Sequence, residues 1–255
     1  MDRIERAKQK YAELFGDDQP APYTTDPDFQ HSFPDFEEIL SRFIFGEVFY
    51  QGSLTIHQRE LITLVVMTTN QTLPQLHAHA GAALNVGLMP VEIMEAIYQC
   101  APYIGFPKTL NALAEINKVL KERDIPLPLQ NQKQTGEDDR FEKGLQVQTA
   151  IFGDVIRQMR ENAPENQKHI QDYLSAFCFG DIYTRSGLDL KTREILTLCI
   201  LCALGGCESQ VKAHVTGNLN VGNSKELMIA AITQCLPYMG FPRTLNALNC
   251  VNEIC

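Results

Sequence analysis

The sequence predicts an all-α chain made of two tandem helical domains related by internal duplication. Three observations carry that prediction. Residues 99–113 return as residues 234–248 with twelve of the fifteen positions identical, and the shared string centres on Pro-Tyr-x-Gly-Phe-Pro. Such self-similarity is the mark of a repeated architecture. The apolar residues gather in runs bounded by helix start and stop signals, with almost no alternation of the strand type. A length of 255 residues suits two units of about 125, an ordinary size for a domain.

The echo reaches almost to both ends. Tyr11-Ala12-Glu13-Leu14-Phe15-Gly16-Asp17 answers Thr149-Ala150-Ile151-Phe152-Gly153-Asp154. Phe45-Gly46-Glu47-Val48-Phe49 answers Phe179-Gly180-Asp181-Ile182-Tyr183. Arg59-Glu60-Leu61-Ile62-Thr63-Leu64 answers Arg193-Glu194-Ile195-Leu196-Thr197-Leu198. His79 with Leu84-Asn85-Val86-Gly87 answers His214 with Leu219-Asn220-Val221-Gly222. The second copy carries one extra residue between Arg-Glu and His, placed at Gly205-Gly206. The units are therefore residues 1–122 and 140–255. Residues 123–139 join them, and their proline, glutamine and charge read as an exposed linker.

Within each unit the helices follow from local signals. Thr55-Ile56-His57-Gln58 has the form of a capping box, with Gln58 at the third helical position. The run that follows is apolar on nearly every face, and so is its echo after an Asp189 cap. A helix apolar all round must be buried on all sides. The next helix starts at Thr72 or Leu73 with Pro74 in its first turn, and Gly87 caps its end. Pro90 opens a helix to about Cys100, and Phe106-Pro107 opens one to about Leu120, each with a counterpart in the second copy. Lobes with such apolar centres are expected to pack on each other and on neighbouring subunits.

Composition narrows the function classes. Hydrophobic residues make up 44% and charged residues 21%, the proportions of a soluble globular protein. A formal charge of −9 argues against nucleic acid as a partner. The charged start, Met1-Asp2-Arg3-Ile4-Glu5-Arg6, lacks the apolar core of a signal peptide, and no run is long enough to span a bilayer. The expected location is cytoplasmic, with no membrane partner. Of eight cysteines only Cys100 lies in the first half. A disulfide framework is not loaded into one of two equivalent copies, so reduced thiols are expected. Two histidines far apart, without paired ligand spacing in both copies, predict no metal site.

Polar residues that survive duplication inside apolar surroundings are the informative ones: Arg59, Glu60 and His79, with Arg193, Glu194 and His214. Glu60 and Glu194 stand in the first turns of buried helices, where the macrodipole favours an anion. Each could simply pair with a basic neighbour or cap a helix end. Each could instead hold and polarise an imidazole, making a proton-transfer couple. Gln75 and Gln210 lie one turn before the histidines on the same helix face. His77 is not repeated and reads as surface. Cys207 stands at a helix N-terminus two turns before His214, a position that favours the thiolate. Its counterpart is Thr72, and a packing role is the alternative. Cys199 and Cys202 have CxxC spacing inside an apolar helix and read as core. Tyr103-Ile104-Gly105-Phe106-Pro107 and Tyr238-Met239-Gly240-Phe241-Pro242 read as turns with aromatic anchors.

The ordered set of Arg-Glu, an apolar helix, His, a Gly-ended turn and Tyr-x-Gly-Phe-Pro resembles the carboxymuconolactone decarboxylase family of the AhpD-like superfamily. The resemblance occurs in both copies. It implies an all-helical fold assembled around a threefold axis, so that a fused chain forms a homotrimer resembling a hexamer of single domains. It also implies a small-molecule substrate and no cofactor. Decarboxylases of the family act on a lactone acid. By that resemblance His79 or His214 exchanges the proton, Glu60 or Glu194 orients it, and Arg59, Arg193, Gln75 and Gln210 are candidate substrate contacts. The superfamily's alkylhydroperoxidases use Glu, then Cys-x-x-Cys-x-x-x-His. Glu194, Cys207 and His214 match three of those positions, but the second Cys is Gln210 here and Gln75 in the first copy. Thiol peroxidase activity centred on Cys207 is therefore the alternative, and a noncatalytic oligomeric binding protein is the third reading.

Overall fold

The computed structural model describes residues 1–16 and 28–255; Asp17, the last residue of the first echo, lies outside them. The described residues are helical, and no strand occurs among them. The first repeat contributes α1 (Arg3–Phe15), α2 (Phe29–Ser32), α3 (Pro34–Ile44), α4 (Ile56–Asn70), α5 (Leu73–Asn85), α6 (Pro90–Ile104) and α7 (Phe106–Glu122). The second contributes α8 (Arg140–Phe152), α9 (Val155–Glu161), α10 (Lys168–Tyr173), α11 (Leu190–Leu204), α12 (Glu208–Asn220) and α13 (Lys225–Ile254). Between α10 and α11 the chain winds as a π-helix over Leu174–Tyr183.

The start signals read from the sequence form as expected. Thr55 Oγ1 accepts from Gln58 N at 3.2 Å, and Gln58 Oε1 accepts from Thr55 N at 2.9 Å. Asp189 accepts from Thr192 N at 2.8 Å. The α6–α7 junction turns at Gly105 (φ 81°), and α13 breaks in the same way at Gly240 (φ 80°). Only a residue without Cβ takes that conformation at little cost. Both copies of the Tyr-x-Gly-Phe-Pro string are thus hinges between two helices.

The two all-apolar helices are the centre of the molecule. On α4 every residue from Arg59 to Thr69 is buried, and on α11 every residue from Arg193 to Ala203. They pack against each other and both pack against α6 and α13. Leu64, Val65 and Ile97 from the first repeat and Leu198, Ile200 and Ile232 from the second belong to one core. Each such side chain contributes about 1.5–3 kcal/mol by leaving water. Smaller clusters lie to either side, around Phe15, Phe45 and Phe49 in one repeat and around Ile151, Phe179 and Tyr183 in the other.

Most of the join between the repeats is exposed, and a few of its residues anchor it. Residues 121 and 122 complete α7, and Ile125 and Leu129 pack on the core. Gln132 and Thr135 are buried. Ser186 N donates to Gln132 O at 3.0 Å, and Thr135 Oγ1 donates to Gly180 O at 3.2 Å. The polar residues of this segment satisfy backbone groups near the π-helix, so it is a strap laid on the second repeat. His77 is half-buried, held between Glu115 and Glu122 at 2.9 Å each.

Candidate active site

Burial of α4 from Arg59 to Thr69 carries Glu60, just past the first turn, inward, and α5 packs against it with His79 at mid-length. His79 Nδ1–H donates to Glu60 Oε2 at 2.9 Å. In the second repeat His214 Nδ1–H donates to Glu194 Oε2, also at 2.9 Å. Both carboxylates are 0% exposed. An imidazole held at Nδ1 by a carboxylate has its tautomer and plane fixed, which leaves Nε2 as the nitrogen that exchanges a proton.

Each imidazole is gripped by two rings. Phe15 meets His79 edge-on at 5.5 Å between centroids, and Tyr238 does so at 6.0 Å. Phe152 and Tyr103 meet His214 at 5.2 and 6.0 Å. In both cases the phenylalanine belongs to the same repeat and the tyrosine to the other. His79 also lines a cavity of about 250 Å³ with Ile44, Phe45, Met67, Gln75 and Tyr238 among its walls. This chamber is mostly apolar with a few convergent polar groups, the usual character of a small-molecule site.

The profile of the carboxymuconolactone decarboxylase family matches residues 34–118 and again residues 168–253. The chain belongs to that family. It is 29% identical over 119 residues to 4-carboxymuconolactone decarboxylase of Acinetobacter baylyi, a match spanning 46% of this chain and 88% of the relative. It is 28% identical over 86 residues to nitrosuccinic acid decarboxylase of Metarhizium robertsii, spanning 34% of this chain and 60% of the relative. It is 20% identical over 143 residues to peroxisomal protein 2 of Schizosaccharomyces pombe, spanning 55% and 65%. The bacterial relative is matched over most of its length by less than half of this chain, in keeping with a family profile that fits twice.

In this carboxymuconolactone decarboxylase family member the two arginines join the repeats. Arg59 donates to Gln234 Oε1 at 2.9 Å, Gln51 O at 2.7 Å and Val48 O at 3.2 Å. Arg193 donates to Gln99 Oε1 at 2.9 Å, to Glu95 at 2.9 Å and to Arg185 O at 3.0 Å. Gln99 and Gln234 then reach back to Thr197 and Thr63 on the central helices at 3.1 and 3.2 Å. A planar fork of five donors suits such a set of acceptors. These bonds take both arginines away from the substrate contact expected of them. Gln75 lines the His79 cavity as its helix face implies, whereas Gln210 is exposed beside Ser209.

Cys207 also departs from expectation. It precedes α12, but its thiol donates to Leu201 O at 3.2 Å. Burial first, then Glu208 and Cys250, raises its pKa above the usual thiol value. These effects outweigh the helix N-terminus, so the protonated thiol is favoured where the sequence pointed to a thiolate. It lines a different cavity, with Cys202, Arg243 and Cys250. Cys202 is buried and its pKa is pushed well above the thiol range, chiefly by burial. At neutral pH iodoacetamide should therefore label the exposed Cys255 well before Cys207, as peptide mass spectrometry would show. Preferential alkylation of Cys207 would reverse this account of its environment. Among the described residues no group of three or more His, Cys, Asp or Glu could hold a metal ion. No described helix is long and apolar enough to cross a membrane.

The two Glu–His couples are not equivalent. Glu194 Oε1 accepts from Tyr183 Oη at 2.7 Å, and that phenol also meets Thr197 at 2.7 Å and Tyr103 Oη at 3.2 Å. Burial, then Glu194, pushes the Tyr183 pKa well above the usual phenol value. Tyr103 in turn lies 3.6 Å from Cys178 Sγ, whose thiol burial pushes up to about 12. In the first repeat Phe49 stands where Tyr183 stands in the second, and Glu60 Oε1 and Tyr238 Oη are buried without a hydrogen-bond partner. The exchange of Phe for Tyr was visible in the echo of Phe45-Gly46-Glu47-Val48-Phe49, and it was the signal that could have revealed Tyr183.

Proposed function

We propose that this protein is a cofactor-free decarboxylase acting on a small carboxylated substrate of the lactone type, with Glu60 and His79 as its proton-transferring couple. The observation that carries this reading is the 2.9 Å bond between His79 Nδ1 and the buried Glu60, with the same imidazole in the wall of a cavity. Membership of the family and similarity to two decarboxylases support the reaction class. In the proposed step the bond to the carboxylate breaks at a ring carbon α to the lactone carbonyl, or conjugated with it through a ring double bond, and carbon dioxide leaves. The electron pair passes into the lactone carbonyl as an enolate. The imidazolium delivers its Nε2 proton to carbon, and water returns a proton to the ring. Glu60 holds the ring in place and offsets its positive charge. Glu194 and His214 repeat the geometry in the second lobe. Release of carbon dioxide from a panel of carboxylated γ-lactones tests the reading, and no turnover of any member would sink it.

We also propose that the chain is a homo-oligomer, a trimer as the family resemblance implies. Phe106 and Leu110 are exposed on α7, and their echoes Phe241 and Leu245 are exposed on α13. Apolar side chains left open at matched positions of both repeats fit surfaces covered by further copies. Light scattering should give three times the mass of one chain, and a monomer at micromolar concentration would contradict it.

A further inference from the structure

We propose that the reacting site is a composite of the two repeats: Tyr238, from the second, donates its hydroxyl to the substrate oxygen that gains charge in the first-repeat cavity, and the side chain at position 49 keeps this site open while its counterpart is closed. This rests on the decarboxylase reading for the identity of the substrate, but its geometry stands apart from it.

The argument begins with the second repeat. There Tyr183 Oη lies between Glu194 Oε1 at 2.7 Å and Tyr103 Oη at 3.2 Å. One hydroxyl thus satisfies both the carboxylate and the tyrosine contributed by the other repeat. Glu60, Tyr238 and Phe49 are the matching residues of the first repeat, and Phe49 has no oxygen to place between the other two. The result is a buried carboxylate oxygen and a buried phenol that both lack partners. Leaving such groups unpaired is costly, and unpaired groups of this kind call for a functional explanation. A polar ligand group entering beside His79 would supply it, because Tyr238 lines the same cavity as His79.

The chemistry of the wall fits a small acid. Tyr238 offers a donor to an enolate or carboxyl oxygen beside His79, while Glu60, 0% exposed and outside the cavity wall, acts on the ligand only through His79. Burial first, then the Glu60 carboxylate, raises the Tyr238 pKa. Thr63 acts in the other direction. Tyr238 therefore keeps its proton at neutral pH and can donate it.

Three variants and three readouts test this. The readouts are melting temperature, turnover of the carboxylated lactone panel and calorimetric binding of paraconate, a saturated γ-lactone with one carboxylate. Tyr238→Phe should lower kcat by about 10²–10³-fold, the scale of a lost oxyanion donor, and weaken paraconate, whose carboxylate takes the same bond, by a smaller factor. Its melting temperature should hold or rise, because an unpaired hydroxyl is gone. Phe49→Tyr should copy the second site into the first, raise the melting temperature and weaken paraconate at least tenfold. Tyr183→Phe removes the hydroxyl shared by Glu194 and Tyr103, so it should lower the melting temperature and, by recreating the first-repeat arrangement, should not reproduce the kcat loss of Tyr238→Phe. Paraconate binding that depends on Tyr238 and Phe49 supports the composite site even if no lactone is turned over, which would fault only the decarboxylase reading. No paraconate binding to the unmodified protein, binding and kcat that Tyr238→Phe leaves intact, or a loss at Tyr183→Phe equal to that at Tyr238→Phe overturns the proposal.

Discussion

His79→Gln should cut the release of carbon dioxide by about 10²–10⁴-fold, the range supplied by a positioned acid or base, while the protein stays folded. The imidazole is 2% exposed and holds one strong bond, to Glu60 Oε2. Glutamine replaces that donor with an amide N–H of similar reach, so the buried carboxylate keeps a partner. It has no group that gives up a proton near neutral pH, so the chemical step loses its acid and base. The loss should appear in kcat more than in KM, since the ring contributes little to ground-state binding. Glu60→Gln separates positioning from proton transfer. Its amide oxygen still accepts from Nδ1–H, but the imidazolium formed during turnover loses its counter-charge. A smaller fall in kcat with a displaced pH profile is expected there. Steady-state rates across pH, with melting curves to confirm folding, make the comparison. An activity within a few-fold of the unmodified protein in His79→Gln would remove the couple from the mechanism.

Much of this was legible in the sequence, and the parts that were not share a cause. The duplication exposed Glu60, His79, Glu194 and His214 as polar residues kept inside apolar runs, and a buried polar group needs a partner. Helix boundaries followed from Thr55, Asp189, Pro90 and Gly87 because caps and breakers act locally. The role of the arginines was not legible. Arg59 and Gln234 are 175 positions apart, and Arg193 and Glu95 are 98 apart. Sequence neighbours say nothing about which distant carbonyls a guanidinium will meet. Cys207 misled for a related reason. Its helix N-terminus is local, whereas the burial and the Cys250 side chain that hold the proton come from tertiary packing. The strap at 123–139 has the composition of a surface linker and is exposed over most of its length; the anchoring of Gln132 and Thr135 on the backbone of 186 and 180 is tertiary and left no local signal.

Arg193→Met is the stability change expected to be largest, a loss of about 3–5 kcal/mol, because it breaks a fully buried ion pair and leaves three further acceptors without their donor. Arg193 is 0% exposed and so is its partner Glu95. Without the arginine, Glu95 keeps only Arg185, and Gln99 Oε1 and the Arg185 and Ser186 carbonyls lose a donor. For a chain of this size each kcal/mol moves the melting temperature by roughly 2–4 °C, so a fall of about 10 °C or more is expected at fixed protein concentration. Arg59→Met should cost less, because the acceptors it leaves are neutral: the Gln234 amide and three carbonyls. A double variant separates charge from packing. Ala230 stands in the second repeat where Glu95 stands in the first. Adding Glu95→Ala to Arg193→Met removes the acid as well but leaves Arg185 without its partner, so a loss smaller than the sum of the two single losses is expected. The coupling energy of that cycle measures the ion pair directly. The arginine clamps and the shared core join the repeats, so melting should stay a single transition in every variant. An Arg193→Met protein no less stable than Arg59→Met, or a double variant that adds the two losses, would show that the buried charge pair does not hold the lobes together.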